Sequence, residues 1–121
     1  MTHILIVDDS PTEVYALEKM LQKHGYRTSS AGNGADAIAF TRKEHPDVVL
    51  MDIVMPGMSG FQATRQLNKD PATTAIPIIV VTTKSQEADK VWALRQGARD
   101  YLIKPVNESE LMNKIKVALG G

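Results

Sequence analysis

Two kinds of segment alternate along the chain. Short, apolar, β-branched runs lie at Ile4-Leu5-Ile6-Val7, Val48-Val49-Leu50-Met51 and Ile76 to Val81. Tyr101-Leu102-Ile103 is a shorter run, and Tyr26 to Ser30 is weaker and more polar. Near-continuous apolar runs suit strands covered on both faces, as in a parallel sheet. The segments between them have helical spacing. Ser10-Pro11-Thr12-Glu13 predicts a helix start in which Ser caps, Pro takes the first position and Glu completes a capping box. Val14, Leu17 and Leu21 mark one face of that helix, and Gly25 fits its stop. Asn33 to Lys43, Ser59 to Asn68, Ser85 to Gln96 and Asn107 to Leu119 follow as further helices. In Ser85 to Gln96 the stripe Ala88, Val91, Trp92 and Arg95 predicts a packed Trp92, with Gly97 as the stop. In the last helix Asn107 caps, Glu108 and Glu110 occupy the first turn, and Leu111, Ile115 and Ala118 share a face.

The order is β-α repeated five times, which predicts an α/β fold with right-handed crossovers and helices on both faces of a parallel sheet. Composition agrees with one domain over 1–121. The chain has 121 residues, 43% of them apolar, with 14 basic and 14 acidic side chains and a net charge of zero. That excludes a mostly disordered chain and speaks against a nucleic-acid module, which needs a basic excess. Without Cys there is no disulfide framework, thiolate zinc site or Cys nucleophile. No apolar run approaches the roughly 18 residues of a membrane span, and acidic residues come too early for a signal peptide. A cytoplasmic protein without membrane insertion is expected. Gly120-Gly121 is expected as a frayed end or a truncation point.

Acidic residues fall directly after two strands: Asp8 and Asp9 after the first, Asp52 after the third. We adopt, rather than derive, the strand order 2-1-3-4-5 of flavodoxin-like doubly wound folds. In that order Asp8, Asp9 and Asp52 converge in the crevice at the carboxyl ends of the strands. Carboxylates so close repel unless they are protonated or share a cation. Hard oxygen donors suit Mg²⁺ (or Mn²⁺) better than a soft metal. Thr82 and Lys104 end the fourth and fifth strands and add a hydroxyl and an ammonium. Taken singly, an Asp after a strand is more often a turn residue, Thr82 a strand residue and Lys104 a solvated one. Together they make a site for a phosphoryl group, with Lys104 offsetting its charge and Thr82 donating a hydrogen bond.

These residues resemble the receiver domain of two-component response regulators. Val7-Asp8-Asp9-Ser10, Val49-Leu50-Met51-Asp52, Met55-Pro56-Gly57-Met58-Ser59-Gly60, Val81-Thr82-Thr83, Gly97-Ala98-Arg99-Asp100-Tyr101 and Leu102-Ile103-Lys104-Pro105 match its motifs in order and spacing. The resemblance implies Asp52 as phosphoacceptor. It implies Asp9, Asp52 and the backbone carbonyl of Val54 as direct Mg²⁺ ligands, with Asp8 acting mainly through metal-bound water. Lys104 would contact the acyl phosphate, and its bond to Pro105 would be cis. Thr82 and Tyr101 would form the switch: Thr82 moves toward the phosphoryl group and the Tyr101 ring turns inward. Read without the family, Tyr101 is a partly buried ring with a surface hydroxyl. Val54 and Lys84 stand where the family tunes dephosphorylation, and an apolar Val54 cannot orient an attacking water.

Further segments, among them Asp8 to Glu13, Asp52 to Gly57, Gly60 to Arg65 and Lys90 to Gly97, resemble the stand-alone regulators of type IV pilus twitching motility. That implies a histidine kinase of chemosensory type as phosphodonor. It also implies signalling by protein contact through the face of helix 4, strand 5 and helix 5. No output domain is expected, hence no direct DNA binding, and a monomer. Self-catalysed phosphorylation and slow autodephosphorylation would be the only catalysis. A phosphate sink, or a receiver fragment of a longer regulator, is the alternative. A dehalogenase-type phosphatase would need a second Asp where Val54 stands. A flavin module would need a phosphate loop where Asp8-Asp9 repel one. His3, His24 and His45 lack metal-ligand spacing and are expected at the surface, and Met51, Met55 and Met58 are expected to serve packing.

Overall fold

The computed structural model describes residues 1–120. Strands β1 (His3–Val7), β2 (Arg27–Ala31), β3 (Val48–Met51), β4 (Ile78–Thr82) and β5 (Asp100–Ile103) alternate with five helices. These are α1 (Pro11–Lys23), α2 (Gly34–Glu44), α3 (Gly60–Lys69), α4 (Glu87–Arg95) and α5 (Glu108–Ala118). All pairings are parallel, in the order β2-β1-β3-β4-β5. The adopted order is therefore the observed one. The expectation for the terminal glycines falls partly on Gly121, outside the described residues; Gly120 donates its N–H to the carbonyl of Val117 at 3.0 Å. No helix among the described residues is long and apolar enough to cross a membrane.

The continuous apolar runs are explained by cores on both faces of the sheet, with Val80 in a third, smaller cluster under α4. Ile4, Ile6, Leu50, Val81 and Leu102 face α1 and α5, where they meet Leu17, Leu21, Leu111 and Ile115. Leu5, Val7, Val49 and Met51 face the other way, onto Ala37 and Ile38 of α2 and Ala63 and Leu67 of α3. Every central-strand residue thus buries its side chain, each such burial contributing roughly 1.5–3 kcal/mol. β2 is an edge strand and correspondingly polar.

Several boundaries shift from the sequence reading. β2 begins at Arg27 rather than Tyr26. β4 begins at Ile78 rather than Ile76, because Pro77 has no N–H to give the ladder, although its carbonyl accepts from Val49 at 3.0 Å; it ends at Thr82 as expected. At α1 the Ser10 hydroxyl accepts from the Glu13 N–H at 3.3 Å, but the reciprocal bond is missing. The Ser10 N–H goes instead to Asp8 Oδ1 at 2.9 Å. A complete capping box forms at α3, between Ser59 and Gln62.

The stripe predicted for α4 is turned outward. Ala93 is buried against Val80, Ala98 and Tyr101, whereas Val91 is exposed and Trp92 is 48% exposed. Apolar residues lie on both sides of this short helix, so its pattern does not choose a face. The small Ala93 side chain lets the helix approach the sheet where an indole would hold it away.

His3 also departs from expectation: it is buried at the start of β1. Phe40 covers its ring edge-on, with centroids 5.7 Å apart. Arg27 Nη2 donates to Nδ1 at 3.1 Å, so Nε2 carries the proton and donates to Ser29 Oγ at 2.7 Å. Burial, and then the Arg27 charge, lower its pKa from 6.5, against the weaker pull of Asp47 and Glu44. The unfolded chain therefore takes up a proton near pH 6.5 that the folded chain refuses, and stability must fall as pH drops below that value. In His3→Gln, thermal unfolding midpoints followed from about pH 7 to pH 5 should show a weaker acid dependence than wild type. Parallel curves for the two proteins would contradict this account.

Candidate functional site

Register sets the site. Val7 lies beside Met51, and the Asp52 N–H donates to the carbonyl of Val7 at 2.9 Å, so Asp8 and Asp52 leave adjacent strand ends. Thr82 lies beside Ile103, and the Lys104 N–H donates to the carbonyl of Thr82 at 2.8 Å. β1 and β3 flank the point at which the chain direction across the sheet reverses, the usual place for a ligand crevice in such folds.

Oxygens of Asp8, Asp9 and Asp52 all lie within 4.8 Å of one another, with Asp8 and Asp52 buried and Asp9 exposed. The structure thus brings together the three carboxylates singled out in the sequence. Their oxygens are hard donors on a site open at Asp9, a set that fits Mg²⁺. Lys104 is 9% exposed and lies 2.6 Å from Asp8 Oδ2, 3.6 Å from Asp52 Oδ2 and 3.8 Å from Glu13 Oε2. Burial works against its ammonium, but the hydrogen bond to Asp8 and the charges of Asp52, Asp8 and Glu13 outweigh that and raise its pKa. Lys104 stays charged across the physiological range. The Lys104–Pro105 peptide bond is cis, as expected.

Thr82 is fully buried, its hydroxyl accepting from the Lys84 N–H at 3.4 Å. Tyr101 lies inward rather than at the surface: it is 7% exposed, and its hydroxyl donates to the carbonyl of Lys84 at 2.8 Å. Burial, with the charges of Asp89 and Asp52, pushes its pKa up to about 12, so the phenol remains a donor. The same loop is held by the Lys84–Asp89 ion pair at 3.9 Å. Val54, two residues beyond Asp52, is exposed at the rim. Met51 and Met55 are buried in the core behind the site, and Met58 packs against it, as expected for packing residues.

Two residues here have roles that the sequence reading did not assign. Gly60, the first residue of α3, donates its N–H to the carbonyl of Ile53 at 2.9 Å and lies directly against the Asp52-Ile53 backbone. Glu13 reads as a cap residue in the sequence but reaches Lys104 instead. No local spacing signals it, because its partner lies 91 residues further along the chain.

The sequence pattern of the response regulator receiver domain matches residues 4–116. The protein PilH of Pseudomonas aeruginosa is 64% identical over 121 residues, all of both chains. Among solved structures, the receiver domain of a sensor histidine kinase from Pseudomonas aeruginosa PAO1 holds a magnesium ion in its active site cleft. It superposes with a TM-score of 0.91 at 31% identity, over 99% of this chain and 98% of that one. The chemotaxis protein CheY4 of Vibrio cholerae gives 0.91 at 30% identity, over 98% and 99%.

Proposed function

Because the chain belongs to the response regulator receiver family, we propose that it works as a phosphoacceptor switch in which Asp52 carries the phosphoryl group. Receiver domains take that group from a histidine kinase and pass a signal to a downstream target. The observation that carries the residue assignment is the convergence of Asp8, Asp9, Asp52 and Lys104 at the carboxyl ends of β1, β3 and β5.

An Asp52 carboxylate oxygen attacks phosphorus. The P–N bond to the donor imidazole breaks, and the electron pair leaves on that nitrogen. Asp9, Asp52 and the carbonyl of Val54 would hold Mg²⁺, with Asp8 acting through water. When bound, Mg²⁺ offsets negative charge on the phosphoryl oxygens. Lys104 supplies a second positive charge, and its contact with Asp52 in the resting site supports that role. Thr82 turns its hydroxyl to a phosphoryl oxygen, giving up the contact from Lys84. The Lys84 loop and the Tyr101 hydroxyl that grips it then readjust together. This changes the face of α4, β5 and α5, on which Val91, Trp92 and Ile103 are exposed for a partner. Autophosphorylation from the kinase phosphohistidine and slow loss to water complete the cycle, in a cytoplasmic single domain serving pilus motility.

The test is the intact mass of the protein after incubation with acetyl phosphate, with and without Mg²⁺. A Mg²⁺-dependent gain of one phosphoryl group is expected; no gain from acetyl phosphate or from a histidine kinase would overturn the reading. Val54 and Lys84 tune the lifetime. Val54→Asn should lose its phosphoryl group several-fold faster, since an amide can orient the attacking water; an unchanged half-life would remove Val54 from that role.

A further inference from the structure

Glu13 makes a charged contact with the site that the proposed cycle leaves unused. It stands on the first turn of α1, 46% exposed at its side chain, with Oε2 3.8 Å from the Lys104 ammonium. It borders a cavity of about 390 Å³ between α1 and the segment after β5, whose other walls include Leu17, Met20, Lys104, Pro105 and Val106. Helix formation does not require this orientation, because the capping-box contact to Ser10 is not made. We propose that Glu13 is a positioning residue of the phosphoryl-transfer site, a fourth carboxylate that competes for Lys104 and restrains the site's attraction for the phosphoryl group. The inference rests on the assignment of Asp52 and Lys104 above.

The charge arithmetic gives the direction. Asp8, Asp9, Asp52 and Glu13 set four negative charges against the single positive charge of Lys104. A divalent cation gains from each of those negative charges. A phosphoryl group is opposed by each of them and needs the ammonium free. Removing the charge of Glu13 must therefore act with opposite sign on the two ligands, which a general loosening of the fold would not do. Glu13 is partly solvated, so the effect is screened and modest.

The experiment is calorimetric titration of the whole protein, first with Mg²⁺ and then, at saturating Mg²⁺, with beryllofluoride as the phosphoryl mimic. At low salt, Glu13→Gln should bind beryllofluoride about three- to tenfold more tightly and Mg²⁺ about two- to fivefold more weakly, both differences shrinking as salt rises. Glu13→Asp, which keeps the charge, should return most of the way to wild type. Glu44→Gln, at the opposite end of the sheet with the same change in net charge, should match wild type. Glu13→Gln affinities equal to wild type, or both shifted in the same direction, would overturn the role of Glu13. A wild type that binds Mg²⁺ but no beryllofluoride would overturn the assignment of the site itself, and the inference with it.

Discussion

Asp52→Ala is expected to abolish phosphoryl uptake while leaving the fold intact. Uptake fails because the acceptor oxygen is gone and no neighbour can replace it. Asp8 is held by the Lys104 ammonium at 2.6 Å and by the Ser10 N–H at 2.9 Å. Asp9 is exposed to solvent at the edge of the crevice. Stability should not suffer, because the carboxylate of Asp52 meets two like charges within 4.8 Å and one opposite charge at 3.6 Å. Its removal relieves that repulsion but also orphans the buried Ile53 N–H, which donates to Asp52 Oδ1 at 2.8 Å, so the two effects offset and the unfolding midpoint should stay close to wild type. The same balance predicts that Mg²⁺ raises the unfolding midpoint of wild type more than that of the variant, since the cation stabilises the folded state in proportion to its affinity. Intact mass and thermal melts with and without Mg²⁺ check both parts. Undiminished uptake in Asp52→Ala would move the acceptor elsewhere.

Gly60→Ala should damage both the fold and the site, by a different route. A Cβ on Gly60 would overlap the carbonyl oxygen of Asp52 and come within 2.8 Å of its carbonyl carbon and of Ile53 Cα. These are backbone atoms, so no rotamer relieves the clash. Either the first turn of α3 or the Asp52-Ile53 backbone must move. Overpacking of this kind costs about 1–3 kcal/mol. A displacement of the acceptor near 1 Å can cost roughly a hundredfold in transfer rate. The comparison is Gly57→Ala in the loop leading into α3: its φ of +72° makes Ala strained, but nothing lies within 4 Å of a Cβ there. That variant should lose about 1–2 kcal/mol and keep its transfer rate. Equal transfer rates in the two variants would show that the contact beneath Asp52 does not position it.

The helix starts were legible at Ser10, Asn33, Ser59 and Asn107, each of which caps its helix through the backbone N–H three residues on. Such signals act over one turn and survive without tertiary context. The outward turn of α4 was not legible, because Val91, Trp92, Ala93 and Leu94 place apolar side chains on all sides. The inward Tyr101 ring was not legible either, since its partner, the Lys84 carbonyl, belongs to a different β-α unit. Motif matching does not register a residue such as Glu13, whose role depends on a lysine at the far end of the chain.

By itself the sequence determined the β-α alternation, the strands buried on both faces and the chemistry waiting at the strand ends, because periodicity and the residue after each strand are local properties. Strand order was borrowed from a fold type, since right-handed crossovers alone allow several orders. Only the tertiary structure decided that His3 is enclosed by Phe40, Arg27 and Ser29, that Trp92 faces solvent, and that Lys104 is shared by Asp8, Asp52 and Glu13. The His3 and Lys104 contacts join side chains from different β-α units, and the outward turn of Trp92 follows from how α4 packs on the sheet; no spacing along the chain encodes either.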